Sequence, residues 1–171
     1  MIKHFFTIVF IFFTNASFGQ NLTLDQVIGL RTKSLGIVEE FLTSRNWEMI
    51  TAEDESKELL GEVYFAYKKS TIDDKAESFI KFTYSTRDNF MNRVDIQINT
   101  LNKYKSFMTR LKALGYNLKY SKGKDGNIIK VYKGKGLAIE VLSKPHSSDF
   151  GTSTTYSFFI CEIGLYYLKY E

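Results

Sequence analysis

The fold is decided by two stretches that share one pattern, LGIVEEFLTSRNWEM (residues 35–49) and YKSFMTRLKALGYNL (residues 104–118). In both, apolar residues recur at spacings of three and four, and an aromatic residue then begins an alternating segment. Helical spacing followed by alternation predicts a helix that leads into a strand. Five pairs match at one constant offset, namely Leu35 with Tyr104, Val38 with Phe107, Leu42 with Leu111, Trp47 with Tyr116, and Met49 with Leu118.

Helix start and stop signals surround these stretches. Thr23 and Gln26 have the spacing of a capping box, in which each side chain accepts a hydrogen bond from the other residue's backbone amide. Gly115 stands where a helix over the second stretch would end. Gly29 and Gly36 weaken a single long helix in the first half. The predicted helices are about 24–31, 34–45 and 102–114.

The rest of the chain has the period of two that is typical of half-buried strands. Val94, Ile96 and Ile98, for example, alternate with Asp95 and Gln97. Asp125-Gly126 is the signal of a tight hairpin turn, and a polar loop is expected from about Pro145 to Ser153. Strands are predicted near 63–67, 79–84, 94–98, 116–120, 128–132 and 137–141, with one long or two short strands over 155–170.

The two halves are interpreted as diverged copies of one unit. Beyond the first strand the offset changes, and Tyr67-Lys68 is aligned with Tyr132-Lys133, and Ile80-Lys81-Phe82 with Ile139-Glu140-Val141. The alternative is a coincidence of amphipathic patterns. The predicted fold class is α+β, with helix-plus-antiparallel-strand repeats at 20–99 and 100–171. They form one domain over 20–171, with three strands in each half, a fourth possible in the second, and the helices on one face.

The first nineteen residues have the form of a secretory signal peptide. Lys3 and His4 precede an apolar run over residues 5–13, and the small residues Ser17 and Gly19 stand before Gln20. The apolar run is about half of the ~20 residues that a membrane-spanning helix needs. Cleavage between Gly19 and Gln20 is therefore predicted, which leaves a periplasmic or secreted protein with no stable membrane span.

Composition narrows the chemistry. The chain is 44% hydrophobic and 25% charged, as expected for a globular protein. Loss of Lys3 lowers the formal net charge from +4 to +3, too little to argue for binding to nucleic acid. The one cysteine, Cys161, cannot form a disulfide within the chain and is interpreted as a small buried residue on a strand.

No arrangement typical of catalysis or metal binding is found. His146, the one histidine left after cleavage, shares a polar segment with Ser147, Ser148 and Asp149, but a triad requires the three groups to converge on one reacting atom. The acidic run at residues 53–58 lacks the alternating ligands and central glycine of a calcium loop. The sequence therefore predicts no catalytic residue, metal or cofactor, and a protein that is not an enzyme.

Charge and tyrosine content point to surface contacts. Lysines 119, 122, 124, 130, 133 and 135 surround the Asp125-Gly126 turn, whereas the matching part of the first half is acidic at residues 53, 54, 55, 58 and 62. Such opposite charges suit an asymmetric partner or head-to-tail pairing of copies, and the alternative is that the lysines keep sheet edges soluble. Tyrosine is common at interfaces. The predicted partner-contact surface comprises Trp47, Tyr132, Lys130, Lys133, Tyr166 and Tyr167.

The layout of tandem helix-plus-antiparallel-sheet units resembles that of the beta-lactamase inhibitory protein, which binds an enzyme across its sheet. The segment from Leu24 to Trp47 is also similar to small outer-membrane assembly lipoproteins. The chain departs from both families, since it can form no internal disulfide and has no lipid-bearing cysteine. No binding residue is carried over from either.

These observations predict an exported, non-enzymatic protein-binding module of the cell envelope, of inhibitor, immunity or structural type. Its partner would be an unidentified envelope or extracellular protein. The alternative is a carrier that holds a lipid or small apolar ligand between helix and sheet, in a pocket lined by Phe107, Met108 and Phe82. An enzyme is the third hypothesis, and it requires His146, an acid and a nucleophile to converge in one cleft.

The signal-peptide hypothesis is tested by the intact mass of the protein isolated from its host's envelope fraction. We expect the mass of residues 20–171, because the peptidase cleaves after small residues such as those at 17 and 19. A mass that retains residues 1–19 would show that the segment is not removed.

Overall fold

The computed structural model describes residues 22–72, 75–148 and 151–170, so the predicted signal peptide and its cleavage site lie outside the described residues. The described chain forms four α-helices, one 3₁₀ turn at Asn89–Met91 and eight strands. The helices are α1 (Leu24–Leu30), α2 (Leu35–Thr43), α3 (Leu101–Ala113) and α4 (Ile163–Tyr170). The strands are β1 (Trp47–Glu53), β2 (Gly61–Tyr67), β3 (Ser78–Tyr84), β4 (Arg93–Ile98), β5 (Asn117–Lys124), β6 (Asn127–Gly134), β7 (Leu137–Ser148) and β8 (Gly151–Glu162).

All eight strands join one antiparallel sheet in the order β1-β2-β3-β4-β8-β7-β6-β5. The first half contributes β1 to β4 and the second half β5 to β8, and the halves meet where β4 pairs with β8. The architecture is therefore mixed α/β with an antiparallel sheet, as expected. The predicted number of strands is corrected for the first half, which supplies four because β1 directly follows α2. The second half also supplies four, which was the possibility left open for it.

The helix-to-strand junctions of the two halves match in detail. Asn46 and Gly115, which are 69 positions apart, both have positive φ angles, of 60° and 85°. The pairing register shifts between Met49 and Thr51 in β1, and the same shift in β5 again lies 69 positions later. A register shift with an extra residue is a β-bulge. The constant offset read from the sequence thus coincides with equal backbone features.

One part of the predicted alignment is wrong. Glu48 pairs with Ala66, and the residue 69 positions after Glu48, Asn117, pairs with Lys133. Lys133 therefore corresponds to Ala66, and not to Lys68 as aligned from the sequence. The sequence offset between matching residues falls by two after the first strand of each half, because the two halves join their first two strands differently. Residues 54–60 link β1 to β2, whereas a two-residue turn joins the longer strands β5 and β6.

Helices α1, α2 and α3 cover one side of the sheet, and the main core lies between these helices and the sheet. Phe107 of α3 meets Phe158 of β8 edge-on, with ring centroids 5.2 Å apart. Tyr104, one turn earlier, stacks on Tyr156 at 4.1 Å. Such aromatic pairs add about 0.5–1.5 kcal/mol beyond the area that they bury. The predicted placement of the helices on one face is correct for these three.

Local signals at the helix ends are confirmed. Thr23 Oγ1 accepts a hydrogen bond from the Gln26 amide at 3.3 Å, and Gln26 Oε1 accepts one from the Thr23 amide at 2.8 Å. Helix α3 ends at Ala113, and Gly115 supplies the left-handed residue after it. The Asp125-Gly126 hairpin turn is also present, with φ angles of 52° and 75° that are typical of a type I′ turn.

The C-terminal region differs from the prediction. Strand β8 ends at Glu162, and the tyrosine-rich residues that follow form helix α4 and not a strand. Leu165 and Tyr166 of this helix are buried against the other side of the sheet, beside Val131 and Cys161. Tyrosine and β-branched residues have high strand propensity, and here tertiary packing overrides that preference.

The polar loop expected after Pro145 is also absent from the described residues. Strand β7 continues to Ser148, and Pro145 pairs with Thr154 of β8. The last pair that joins β7 to β6 is Ser143 with Ile128, so beyond it β7 has a neighbour on one side alone. Proline is tolerated at such an edge position because its missing amide hydrogen is not needed there.

Gly61, at the start of β2, is a glycine that its neighbours require. An added Cβ at Gly61 would overlap the ring of Tyr84, its buried partner on β3. We expect Gly61→Ala to lower the free energy of unfolding by about 1–3 kcal/mol, because overpacking forces buried groups to move. Urea unfolding followed by circular dichroism measures this change.

The matched control is Gly29→Ala in helix α1, where an added Cβ meets nothing within 4 Å. This variant should raise the free energy of unfolding by up to about 1 kcal/mol, because alanine favours helix over glycine. Equal effects at the two positions would contradict the packing role of Gly61.

Candidate functional site

The side of the sheet opposite α1, α2 and α3 is covered in one half alone. Helix α4 lies there against β7 and β8, and its Leu165 and Tyr166 close a small core with Val131, Ala138 and Cys161. The 3₁₀ turn at Asn89–Met91, which contacts β3 and β8, also lies on this side, and no described α-helix lies over β2, β3 and β4 there. We define the open face as the partly exposed side chains of these three strands on this side, namely Glu62, Tyr64, Phe79, Lys81, Arg93, Asp95 and Gln97.

Strand register brings these side chains together. Pairing places Tyr64 beside Lys81, Lys81 beside Asp95, and Asp95 beside Phe159 of β8. The same row continues into the second half through Glu140, Val131 and Tyr120. Directly opposed residues have Cβ atoms about 4.5–5.5 Å apart, so neighbours in this row are in contact distance. We call this line of paired residues, which runs across the sheet from Thr51 of β1 to Tyr120 of β5, the central row.

Glu62 and Lys81 form an ion pair on the open face, with Nζ 3.2 Å from Oε1. The Tyr64 hydroxyl donates to Glu62 Oε2 at 2.9 Å. Burial disfavours the charged form of Glu62, but the hydrogen bonds from Tyr64 and Lys81 outweigh it and lower its pKa. Burial likewise disfavours the charged form of Lys81, and its bond to Glu62 outweighs this and raises its pKa. Both groups are thus ionised at neutral pH.

Asp95, at the centre of the row, has a different environment. Within the described chain its carboxyl makes no hydrogen bond, whereas the ammonium of the neighbouring Lys81 donates to Glu62. Burial raises the pKa of Asp95 to about 6; the charge of Lys81 opposes the rise and that of Glu140 adds to it. A half-buried carboxyl without a hydrogen-bond partner is able to accept a hydrogen bond from a binding partner, or to form an ion pair with a basic group of that partner.

Helix α4 is anchored by a short hydrogen-bonded chain. The hydroxyl of Tyr166 donates to Glu140 Oε2 at 2.9 Å and lies 2.8 Å from the hydroxyl of Tyr120. Burial and these bonds raise the pKa of Tyr166. The Lys133 ammonium lies 3.8 Å from the ring centroid of Tyr167. Polar residues of β5, β6 and β7 therefore hold the helix over the second half of the sheet.

The six residues predicted to form a partner-contact surface do not lie together. Trp47 and Tyr132 are buried on the side of α1, α2 and α3, and the half-buried Lys130 is on that side as well. Lys133 and Tyr166 are buried on the opposite side. Tyr167 alone is well exposed, at 44%.

The fold therefore uses the four buried residues for packing. Aromatic rings and long aliphatic stems bury large apolar areas, so these residue types suit a core as well as an interface. The open face was missed, although the alternation of Asp95 and Gln97 with apolar residues in β4 was a signal for it.

One carboxylate of the acidic run at residues 53–58 is held in place by hydrogen bonds. Glu55 accepts hydrogen bonds from the Thr86 amide and the Ser85 hydroxyl, both at 2.8 Å, and pairs with Arg87 at 2.9 Å. The bonds from Thr86, together with those from Ser85 and Arg87, lower the pKa of Glu55 to about 2. This carboxylate therefore connects the loop after β1 to the loop after β3.

Residues considered for catalysis have ordinary surroundings. His146 lies on β7, and its Nε2 is 3.1 Å from Thr155 Oγ1, while Asp149 lies outside the described residues. Cys161 is buried, which raises its pKa to about 11 and keeps it a thiol. In ranges 22–72, 75–148 and 151–170, no group of three His, Cys, Asp or Glu side chains is placed to hold a metal ion.

An apolar groove lies between α1 and α2, away from the open face. Its volume is about 190 Å³, and its lining includes Leu30, Ile37 and Phe41. Ile37 is 53% exposed. The space between α3 and the sheet, where the carrier hypothesis placed a pocket, is occupied by Phe107 packed on Phe158.

The fold defines the class as a mixed α/β protein built on one eight-stranded antiparallel sheet. Comparisons with protein-family models, with curated proteins and with solved structures give no significant match. Among the residues that the structure describes, no helix has the length and apolar character required to cross a membrane. The geometry of the open face is therefore the basis for a functional assignment.

The raised pKa of Asp95 predicts a pH-dependent stability. The folded state holds the Asp95 proton more tightly than the unfolded chain, whose pKa is about 3.9, so this carboxyl destabilises the fold increasingly as pH rises from about 4 to about 6. We expect Asp95→Asn to gain stability relative to the natural protein between pH 4 and pH 7, by at most about 2–3 kcal/mol. Urea unfolding at both pH values measures the gain.

Asp25→Asn is the control of opposite sign. The bond from Arg110 lowers the pKa of Asp25, so its contribution is present at pH 7 and is lost as pH falls through that pKa. This pair is exposed and its effect should be small. If Asp95→Asn differs from the natural protein by the same amount at pH 4 and pH 7, Asp95 does not have a raised pKa.

Proposed function

We propose that this protein is an exported, non-enzymatic binding module that contacts another protein through the open face. The observation that carries the proposal is that α4 covers β7 and β8, while the same side of β2, β3 and β4 keeps half-buried polar and aromatic side chains. Cleavage after Gly19 and a place in the cell envelope, or outside the cell, are part of the proposal.

The chemistry of the open face supports a protein partner. Tyr64 and Phe79 supply aromatic surface, and the Glu62–Lys81 pair and Gln97 supply fixed polar groups. Such a mixture is typical of protein interfaces, in which aromatic residues are enriched. Asp95 adds an acceptor that a donor of the partner would satisfy.

We further propose that the two halves are diverged copies of an α+β unit with four strands. The equal spacing of the junction features and the mirrored strand order support this interpretation. Pairing makes Lys81 and Glu140 equivalent, and likewise Asp95 and Phe159. The copies would have diverged so that one sheet surface holds α4 and the other stays available for binding. Inhibitor, immunity and structural roles all fit such a surface.

A carrier of a small apolar ligand is the second candidate. The groove between α1 and α2 favours it, because its lining is apolar and Ile37 is exposed beside it. Its volume of about 190 Å³ lies below the roughly 300–1,000 Å³ of common ligand pockets. We therefore rank the carrier below the protein-binding module.

Three arginine variants separate these functions. Gln97→Arg places a charge on the open face, Ile37→Arg blocks the groove, and Thr109→Arg adds the same group to the exposed side of α3 as a control. Each variant of residues 20–171 is immobilised and exposed to the host's envelope extract, and bound proteins are quantified by mass spectrometry. We expect one discrete partner to be bound by the natural protein, by Ile37→Arg and by Thr109→Arg. Its recovery should fall at least about tenfold with Gln97→Arg, a loss of ~1.4 kcal/mol.

Thermal unfolding of each variant establishes that it is folded. Recovery of the partner by Gln97→Arg at the level of the control would overturn the role of the open face. A small apolar mass that copurifies with the natural protein and is lost with Ile37→Arg, seen by native mass spectrometry, would replace the binding module by the carrier.

A further inference from the structure

The outer edges of the first and last strands of the sheet, β1 and β5, have no strand paired to them within the described chain. Strand β1 pairs with β2 alone and β5 with β6 alone, so along the outer side of each no described strand bonds to the backbone. Every residue of β1 after Trp47 is exposed, and so is every residue of β5 except the half-buried Tyr120. Met49 and Ile50 of β1 and Leu118 of β5 expose 57%, 42% and 51% of their surface. Exposed edges of this kind are able to pair with a further strand.

The two edges carry opposite charges. Strand β1 contains Glu48 and Glu53 and no basic residue, whereas β5 contains Lys119, Lys122 and Lys124 and no acidic residue. Contact between two β1 edges or two β5 edges would bring like charges together, which is destabilising for directly opposed residues. Contact between β1 of one copy and β5 of another brings opposite charges together.

Strand direction permits this contact. The sheet has eight strands, all antiparallel to their neighbours, so β1 and β5 run in opposite directions. A second copy in the same orientation therefore presents β5 antiparallel to β1, with its helices on the same side of the extended sheet. All seven strand pairs within one copy are antiparallel, and the pair formed between two copies is antiparallel as well.

Register makes the contact specific. The central row begins at Thr51 of β1 and ends at Tyr120 of β5. If the row continues from copy to copy, Tyr120 lies opposite Thr51, and the next row on the same side of the sheet brings Lys122 beside Glu48. We infer that this chain associates head to tail with further copies of itself, β1 of one copy pairing with β5 of the next. This inference goes beyond the proposed function and does not depend on it.

The association is weak and sensitive to salt. Both edges carry a bulge, between Met49 and Thr51 and between Leu118 and Tyr120, and bulges hinder edge pairing. The charges are exposed, so salt screens their attraction over about 8–10 Å at ordinary ionic strength. Self-association should therefore increase with protein concentration and decrease when salt is added.

Sedimentation velocity on residues 20–171 tests this contact with two charge variants. Glu48→Lys combined with Glu53→Lys makes both edges basic, and Lys119→Glu combined with Lys122→Glu makes both edges acidic. We expect the natural protein to associate at low salt, each variant alone to sediment as a monomer, and their equimolar mixture to associate again. The control is Lys33→Glu combined with Lys105→Glu, which changes the net charge as much as the second variant does. Both lysines are exposed and lie on the helical side, Lys33 beside the start of β4 and Lys105 on α3, so this control should associate like the natural protein.

Three results would overturn the inference. The natural protein could remain monomeric at low salt up to concentrations on the order of 1 mM, where complexes with dissociation constants of about 1 mM are detected. The mixed variants could fail to associate although each is folded by circular dichroism. Alternatively, the control could lose association as completely as the edge variants, which would assign the effect to net charge.

Discussion

Strands β4 and β8 meet at the middle of the sheet, and the rest of the structure depends on their pairing. Val94 and Ile96 lie opposite Ile160 and Phe158, and all four are buried under the helices. Fully burying such a side chain contributes about 1.5–3 kcal/mol, and a chain with one cysteine can form no internal disulfide to add to this. The pairing of β4 with β8 makes one sheet from two sets of four strands. It also places Asp95 beside Phe159 on the side of the sheet opposite these helices.

Features set by neighbouring residues could be predicted from the sequence. The capping box at Thr23, the helix that ends before Gly115 and the Asp125-Gly126 turn depend on a few consecutive residues, and all three are present. Helix α4 could not be predicted in this way. The burial of Tyr166 requires Glu140 and Tyr120, which lie 26 and 46 positions away and reach it only after the sheet has formed.

The same distinction applies to the candidate site. Alternation along β4 showed that Asp95 and Gln97 face away from the apolar core, but it did not show which parts of that side would be covered. Trp47 and Tyr132 are predicted at a contact surface because aromatic residues are common at interfaces, whereas the strand order turns both toward the main core. Residue type sets what a side chain is able to contact, and sheet order determines which side of the protein it reaches.

The path of the chain explains why the open face belongs to the first half. After β4 the chain passes through Asn99 and Thr100 directly into α3, which packs on the main core. After β8 it turns into α4 on the other side, where Tyr166 meets Glu140. In the same central row the first half has Lys81, which bonds to Glu62 within the sheet and not to a helix. On this side the charges of Glu62 and Lys81 are paired, whereas the Asp95 carboxyl makes no hydrogen bond within the described chain and the buried Nε of Arg93 has no partner there. A partner with a hydrogen-bond donor opposite Asp95 would therefore stabilise the charge of this carboxyl.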